Sequence, residues 1–295
     1  MNKHVEEKRY RGKVQALILD WSGTTADAYV VAPATVFVEV FKRQNVEISM
    51  PEARGPMGLR KDLHIKALTE VDTIKERWKG VHGKYPDQSD VDRMFADFVP
   101  LQLDCLRKYT TLLPGVAEVT QRLQNQGIKI GSTTGFIRPM VDILEEDAAK
   151  QGYKPDASVA GDEVINGARP SPHMVFKNLD MLNITPIHSV VKVDDTISGV
   201  GEAVNAGCWG VGVTRYSNYM DVDTPEDGEK LSDDEIVKRV EKTHDLLEKA
   251  GAHYVIESIA DIEPVIADIN QRLAKGRSEE RRVGKECRSR WSPYH

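Results

Sequence analysis

The feature that most constrains the fold is an apolar strand that ends in a carboxylate. Residues 14–19 are mostly apolar, and Asp20 follows them directly, ahead of a short turn that contains Gly23 and Thr24. A near-continuous apolar run is typical of a buried parallel strand, and open α/β sheets bind ligands at the carboxyl ends of their strands. Glycine and threonine let backbone amides approach an anion there. An aspartate that only caps its own turn is the alternative, and this segment alone does not decide between the two.

Five more strand patterns alternate with helical ones along the chain. The strand patterns lie at 128–133, 156–160, 189–194, 209–214 and 254–257. Gly127 and Gly207 are typical helix stops, and the segment from Ser232 to Glu235 has the pattern of a capping box for a helix over 233–249. Alternation of this kind favours a parallel sheet with helices on both faces. We therefore predict an α/β fold with a Rossmann-like parallel sheet as its core.

The interval between the first two strands is helical throughout. Helical patterns lie there at 34–44, 59–69, 72–81 and 90–106. We predict an inserted helical cap domain over 29–107, above a core formed by 1–28 and 108–276. Residues 277–295 show neither a helical nor a strand pattern, and they differ in composition from the rest of the chain. They resemble a translated sequencing adapter, so we interpret them as a non-native tail; a natural basic tail is the alternative.

Bulk properties exclude several classes of function. With 295 residues, 40% of them hydrophobic, the chain is long enough for one large core and a smaller domain. The net charge of −6 argues against a nucleic-acid partner. No apolar stretch reaches the length of a membrane span, and the start has no apolar signal region, so we expect no membrane association and a cytoplasmic location. The three cysteines have neither paired nor metal-ligand spacing.

Polar residues follow four of the predicted elements at what would be one edge of the sheet. They are Asp20, Thr134 with Gly135, Arg169, and the pair Asp194 and Asp195. A carboxylate needs charge cancellation beside a phosphoryl dianion, so we predict a divalent cation held by Asp20 and Asp195. Oxygen ligands favour Mg²⁺. The hydroxyl, amide and guanidinium groups of Thr134, Gly135 and Arg169 would bind phosphoryl oxygens. Each residue alone also has an ordinary role as turn, cap or surface charge.

Together these motifs resemble the haloacid dehalogenase superfamily, with the helical insertion at the position of its first cap type. The similarity is closer, over roughly residues 14–270, to the branch that hydrolyses phosphonoacetaldehyde, and it rests on 20–25, 56–64, 131–135, 193–196 and 251–256. This resemblance implies a small phosphonate substrate, a homodimer and Asp20 as nucleophile. It also implies site residues in three groups: phosphate-binding Gly23, Thr24, Thr134, Gly135 and Arg169; substrate-shaping Met57 and Gly58; and the metal ligands Asp20, Ser22 and Asp195.

Two positions favour cleavage of a carbon–phosphorus bond over ester hydrolysis. Phosphatases of the superfamily carry a second aspartate where this chain has Ser22, which is too weak an acid to protonate an alkoxide, although its backbone carbonyl can still bind the metal. Lys61 offers another route, because an amine that forms an imine with an aldehyde makes the departing carbon an enamine. Burial would lower its pKa, and His64, three residues on, would share its helical face and relay protons. A solvated lysine and a structural histidine are the ordinary alternatives.

We therefore predict hydrolysis of phosphonoacetaldehyde through a Lys61 Schiff base and an Asp20 aspartyl-phosphate. A magnesium-dependent phosphatase or phosphomutase of the same superfamily is the first alternative, and a phospho-accepting receiver domain, which lacks a helical insertion, is the second. The chain departs from the related pattern at Ser22, where alanine is usual, and at Val30 and Phe136, where some members have cysteine and tyrosine. Gly199 stands where many members place an acid, a role that Asp194 would take over.

Overall fold

A six-stranded parallel sheet forms the centre of the molecule. The computed structural model describes residues 10–276, so the predicted tail at 277–295 lies outside the described residues. The strand order is β3-β2-β1-β4-β5-β6, and every pair of neighbours is parallel. The strands are β1 (Ala16–Leu19), β2 (Lys129–Thr133), β3 (Ala157–Val159), β4 (Val190–Asp194), β5 (Trp209–Val213) and β6 (Tyr254–Ile256). The predicted parallel sheet is confirmed, with each strand slightly shorter than its sequence pattern.

The register of the central strands fixes which side chains meet. Leu17 of β1 lies opposite Ile130 on one side and Val191 on the other, and all four residues of β1 are buried. Because parallel strands end at one edge, Asp20, Thr134 and Asp194 emerge side by side from β1, β2 and β4.

Seven further α-helices lie in residues 10–276 outside the predicted insertion, one before β2 and six after it. The sequence signals for the ends of some of them are visible. They are α6 (Val116–Asn125), α7 (Arg138–Lys150), α8 (His173–Leu182), α9 (Ile197–Ala206), α10 (Pro225–Glu229), α11 (Asp233–Ala250) and α12 (Ile262–Ala274). Ser232 and Glu235 form the predicted capping box of α11. Gly207 ends α9 at a φ of 72°, a left-handed conformation that favours glycine.

Five helices precede α6 in the interval between β1 and β2: α1 (Val31–Arg43), α2 (Met50–Arg54), α3 (Lys61–Glu70), α4 (Asp72–His82) and α5 (Gln88–Leu106). Their apolar faces meet around buried aromatic residues such as Phe37, Trp78 and Phe98. One continuous apolar cluster joins these helices to Leu19 of the sheet. The helix α2 was missed in the sequence, although Ser49 and Glu52 form a capping box. The limits of the cap at 29 and 107 stay a proposal.

Within residues 10–276, no helix combines the length and the apolar character that crossing a membrane requires.

Candidate active site

A small, partly open cavity lies at the carboxyl edge of the sheet, under the inserted helices. It is lined by Asp20, Ser22, Val30, Met57, Gly58, Lys61, Thr134, Gly135, Phe136, Arg169 and Thr196. The structure thus brings together eight of the residues predicted from sequence, from four separate parts of the chain. Gly23, Thr24, His64 and Asp195 lie outside this lining. The two positions noted as departures, Val30 and Phe136, face the cavity.

Three buried carboxylates converge beside the cavity. One oxygen each of Asp20, Asp194 and Asp195 lies within 4.8 Å of the others. Asp195 accepts a hydrogen bond from the Asn218 backbone amide at 2.9 Å through Oδ2, while its Oδ1 has no hydrogen-bond partner among the described residues. Burial, with Asp194 and Asp20 nearby, raises the pKa of Asp195 well above its usual value. Such crowding of hard oxygen atoms fits a divalent cation.

Asp194 has polar or charged partners at both of its carboxylate oxygens. It accepts hydrogen bonds from Lys192 Nζ at 2.6 Å and from the Thr196 hydroxyl at 2.7 Å. Although burial acts to raise it, Arg169 and Lys192 hold the pKa of Asp194 below its usual value. A Cβ atom at Gly199 would lie 1.9 Å from Cγ of Asp194, so this carboxylate fills the space that a side chain at 199 would need.

Arg169 is an oriented, buried cation. Its Nη2 donates to Oδ1 of Asp20 at 2.8 Å and to the Thr133 carbonyl at 2.7 Å, and its Nε donates to Glu202 at 3.1 Å. Despite burial, Asp194, Asp20 and Glu202 raise the pKa of Arg169 well above its ordinary value. An anion that enters the cavity therefore meets a guanidinium whose orientation is already fixed by these hydrogen bonds. Sequence reasoning missed Glu202 and Lys192, since neither belongs to a recognisable motif.

The turn after β1 is shaped for close approach of the backbone. Gly23 has a φ of +77°, and a Cβ atom there would lie 2.4 Å from Oδ2 of Asp195, so only glycine fits. The Thr24 hydroxyl is buried and has no partner within the described part of the chain. At the end of β2, the Thr134 hydroxyl accepts from the Phe136 amide at 3.2 Å. Both turns thus hold polar groups at the carboxyl edge of the sheet, where Asp20 lies.

Lys61 is buried at the first position of α3, and its amine faces aromatic rings. The Nζ atom lies 4.6 Å from the centre of the Phe136 ring and 5.8 Å from that of Phe37. Burial lowers the pKa of Lys61 to about 8, against the opposing attraction of Asp20. The positive end of the α3 dipole also disfavours a protonated amine at this position. A lysine in this setting supplies the free amine that imine formation needs.

The loop that carries Lys61 is seated tightly on the core. Ser198 Oγ donates to the Met57 carbonyl at 3.2 Å. A Cβ atom at Gly58, where φ is +91°, would lie 2.1 Å from Ser198 Oγ, and one at Gly135 would lie 2.4 Å from the Leu59 carbonyl oxygen. Glycine at 58 and 135 therefore permits the contact between the inserted segment and the core.

His64 lies on α3 and is not among the residues that line the cavity. Its Nε2 lies 2.8 Å from the Ala53 carbonyl, which can only accept, so Nε2 carries the hydrogen. The ring stacks on Phe37 at 3.8 Å, and burial, with Lys61 nearby, lowers the pKa of His64 well below its usual value. His64 is thus neutral, and its Nδ1 has no partner within residues 10–276.

Comparison with known proteins agrees with this geometry. The family model of haloacid dehalogenase-like hydrolases matches residues 14–207. The chain is 40% identical over 277 residues to the phosphonoacetaldehyde hydrolase of Nitratidesulfovibrio vulgaris, covering 94% of this chain and 98% of the relative. It is 42% identical to a bifunctional phosphonoacetaldehyde hydrolase/aminoethylphosphonate transaminase of Clostridioides difficile, covering 91% of this chain and 42% of that longer protein. The crystal structure of a phosphonoacetaldehyde hydrolase-like protein from Oleispira antarctica superposes with a TM-score of 0.90 at 38% identity, covering 94% of this chain and 99% of the other.

Proposed function

This chain belongs to the haloacid dehalogenase-like hydrolase family, and we propose that it hydrolyses the carbon–phosphorus bond of phosphonoacetaldehyde to acetaldehyde and phosphate. The observation that carries the proposal is a buried lysine of lowered pKa, Lys61, in the same cavity as Asp20. An amine and a carboxylate that line one cavity can engage the two ends of one small molecule.

The chemistry begins at the amine. Lys61 adds through Nζ to the aldehyde carbonyl, and loss of water gives an imine that is protonated on its nitrogen. Asp20 then attacks phosphorus, the carbon–phosphorus bond breaks, and its electron pair moves toward the imine nitrogen to leave an enamine. Protonation of the enamine carbon and hydrolysis of the resulting imine release acetaldehyde and free Lys61. Water cleaves the aspartyl phosphate and restores Asp20.

The other residues of the cavity bind and orient the substrate. Arg169, Thr134 and Gly135 take the phosphoryl oxygens. The predicted phosphate-binding amides of Gly23 and Thr24 already donate to carbonyls of their own turn, so these two residues shape the turn that follows Asp20. Met57 and Gly58 shape the aldehyde side. His64 would relay protons to and from Lys61 and would not contact the substrate itself, since its ring lies outside the cavity lining.

Mg²⁺ fits the carboxylate cluster. Asp20, Asp195 and the backbone carbonyl of Ser22 would hold it, with Asp194 orienting the site. The ion supplies neutralisation of charge between the nucleophile and the phosphoryl group. The unpartnered Oδ1 of buried Asp195 supports this assignment.

A phosphatase or phosphomutase acting on a small ester is the remaining alternative. It needs an acid for the leaving group, and the side chain at the expected place is Ser22. The receiver-domain alternative disagrees with the insertion of the five helices α1 to α5 between β1 and α6. A homodimer and a cytoplasmic location stay predictions from the sequence.

Direct assay tests the function. Acetaldehyde and phosphate should appear in equal amounts from phosphonoacetaldehyde, with little phosphate from a panel of simple phosphate esters. Efficient ester hydrolysis with no acetaldehyde release would replace the proposal with the phosphatase alternative.

A further inference from the structure

The backbone that leads from β1 into the inserted helices is strained. Three residues other than glycine have positive φ within four positions: Asp27 at 50°, Tyr29 at 67° and Val30 at 56°. The left-handed region is unfavourable for such residues, above all for a β-branched valine, and it persists only where neighbours over-determine it. The contacts that hold this segment therefore hold the entry to the helices that carry Lys61.

Arg54, the last residue of α2, provides one of these contacts. Its side chain is 3% exposed, and its guanidinium donates to the Tyr29 carbonyl and to the Val222 carbonyl. It also donates to Asn218 Oδ1 at 3.3 Å. One buried cation thus joins the strained segment, the insertion and the loop after β5.

Asn218 extends the connection to the carboxylate cluster. Its side-chain amide donates back to the Arg54 carbonyl at 3.1 Å, and its backbone amide donates to Oδ2 of Asp195 at 2.9 Å. Ser217 Oγ donates to the Asp195 carbonyl at 2.9 Å. Arg54 is therefore two hydrogen bonds from Asp195 and seven residues from Lys61.

We propose that Arg54 is a positioning residue that fixes the Lys61 loop over the core by tying the strained 27–30 segment to Asn218. The expected change in kcat/KM rests on the proposed function, whereas the expected change in deuterium exchange does not. Its guanidinium touches neither the cavity nor the reacting atoms, so it acts through residues 55–61. Loss of its contacts frees that loop and misplaces the amine.

Two variants and a control test the proposal. Arg54→Met keeps the length of the side chain and removes its donors, Arg54→Lys keeps one donor, and Arg43→Met on the exposed face of α1 is the control. Because small misplacement of a reacting group costs about 10²-fold, we expect kcat/KM of Arg54→Met to fall about 10²-fold, mainly in kcat, with partial recovery in Arg54→Lys. Deuterium exchange of residues 55–61 should accelerate in Arg54→Met and not in Arg43→Met.

The two readouts separate the possible failures. Unchanged exchange at 55–61 in folded Arg54→Met, or a kcat/KM equal to that of Arg43→Met, overturns the positioning role. If Arg54→Met does not fold, Asn218→Ala removes only the bridging side chain, and unchanged exchange at 55–61 there overturns the proposal equally. Absence of C–P hydrolysis in the wild type would refute the proposed function, while the exchange measurement would still decide the role of Arg54.

Discussion

The amine of Lys61 lies 4.6 Å from the centre of the Phe136 ring, in a cavity that Asp20 also lines. An aromatic face attracts a cation, yet burial outweighs this attraction and lowers the pKa of Lys61 to about 8. Desolvation thus decides the protonation state. The aromatic rings of Phe136 and Phe37 contribute to this burial of the amine.

The first prediction concerns the pH dependence of turnover. Free amine forms as the pH rises through about 8, the lowered pKa of Lys61. We expect kcat/KM for phosphonoacetaldehyde to increase between pH 7 and pH 9 with an apparent pKa near 8. Steady-state rates across this range measure it. A flat profile would mean that no group of that pKa controls the reaction.

Replacement of Lys61 should raise the stability of the protein while it abolishes activity. A folded-state pKa of about 8 against an ordinary 10.5 means that the unfolded chain binds more protons, so burial of Lys61 opposes folding below pH 8. By linkage this cost is about 3 kcal/mol, and it disappears as the pH rises to 10.5. Lys61→Met should therefore raise the free energy of unfolding at pH 7 and abolish turnover. Denaturant titration at pH 7 and 10, with the exposed Lys66→Met as control, measures it; equal stability of wild type and Lys61→Met at pH 7 would contradict the account.

Removal of magnesium should destabilise the protein through its carboxylates. Asp20, Asp194 and Asp195 offer oxygens within 4.8 Å of one another. An ion at a hundredfold excess over its Kd adds about 2.7 kcal/mol, so Mg²⁺ should raise the Tm and EDTA should lower it. Asp195→Asn should lose this response, whereas exposed Asp104→Asn should keep it. Thermal melts with and without Mg²⁺ decide, and an unchanged response in Asp195→Asn would place the ion elsewhere.

Ser22 should determine which bond is cleaved. Ser22→Asp restores an acid for an alkoxide leaving group, and its charge beside Lys61 favours the protonated amine. We expect the ratio of phosphate-ester hydrolysis to C–P hydrolysis to rise at least about tenfold, a typical contribution of acid catalysis being 10²–10⁴-fold. Ser22→Asn matches the size without the acidity and should leave the ratio unchanged. A similar rise in both variants would argue against the acid as the cause.

Strand positions and the strand-end residues were predictable because apolar runs and their polar ends are local signals. Asp20, Thr134 and Arg169 could be placed at one edge from the strand pattern and resemblance alone, and the cavity contains all three. The bounds of strands and helices differ from the patterns by a few residues, because hydrogen bonding rather than composition ends an element.

Residues that act through long-range contacts could not be predicted. Glu202 binds Arg169 across 33 positions, and Asn218 binds Arg54 across 164. Neither lies in a motif, and a buried acid or amide in a helix or loop looks like a solvated residue in the sequence. Met220 and Val222, in the loop after β5, pack in one apolar cluster with Tyr29, a contact that no local pattern in the sequence indicates. The hydrogen bond of His64 to the Ala53 carbonyl could likewise not be predicted, because helical spacing gives a face but not a partner.

Covalent trapping tests the central claim most directly. Wild-type protein treated with phosphonoacetaldehyde and borohydride should gain a reduced two-carbon adduct on Lys61, identified by peptide mass spectrometry, and Lys61→Arg should gain none and have no turnover. An unmodified Lys61 in an enzyme that still releases acetaldehyde, or near-normal turnover of Lys61→Arg, would contradict the account.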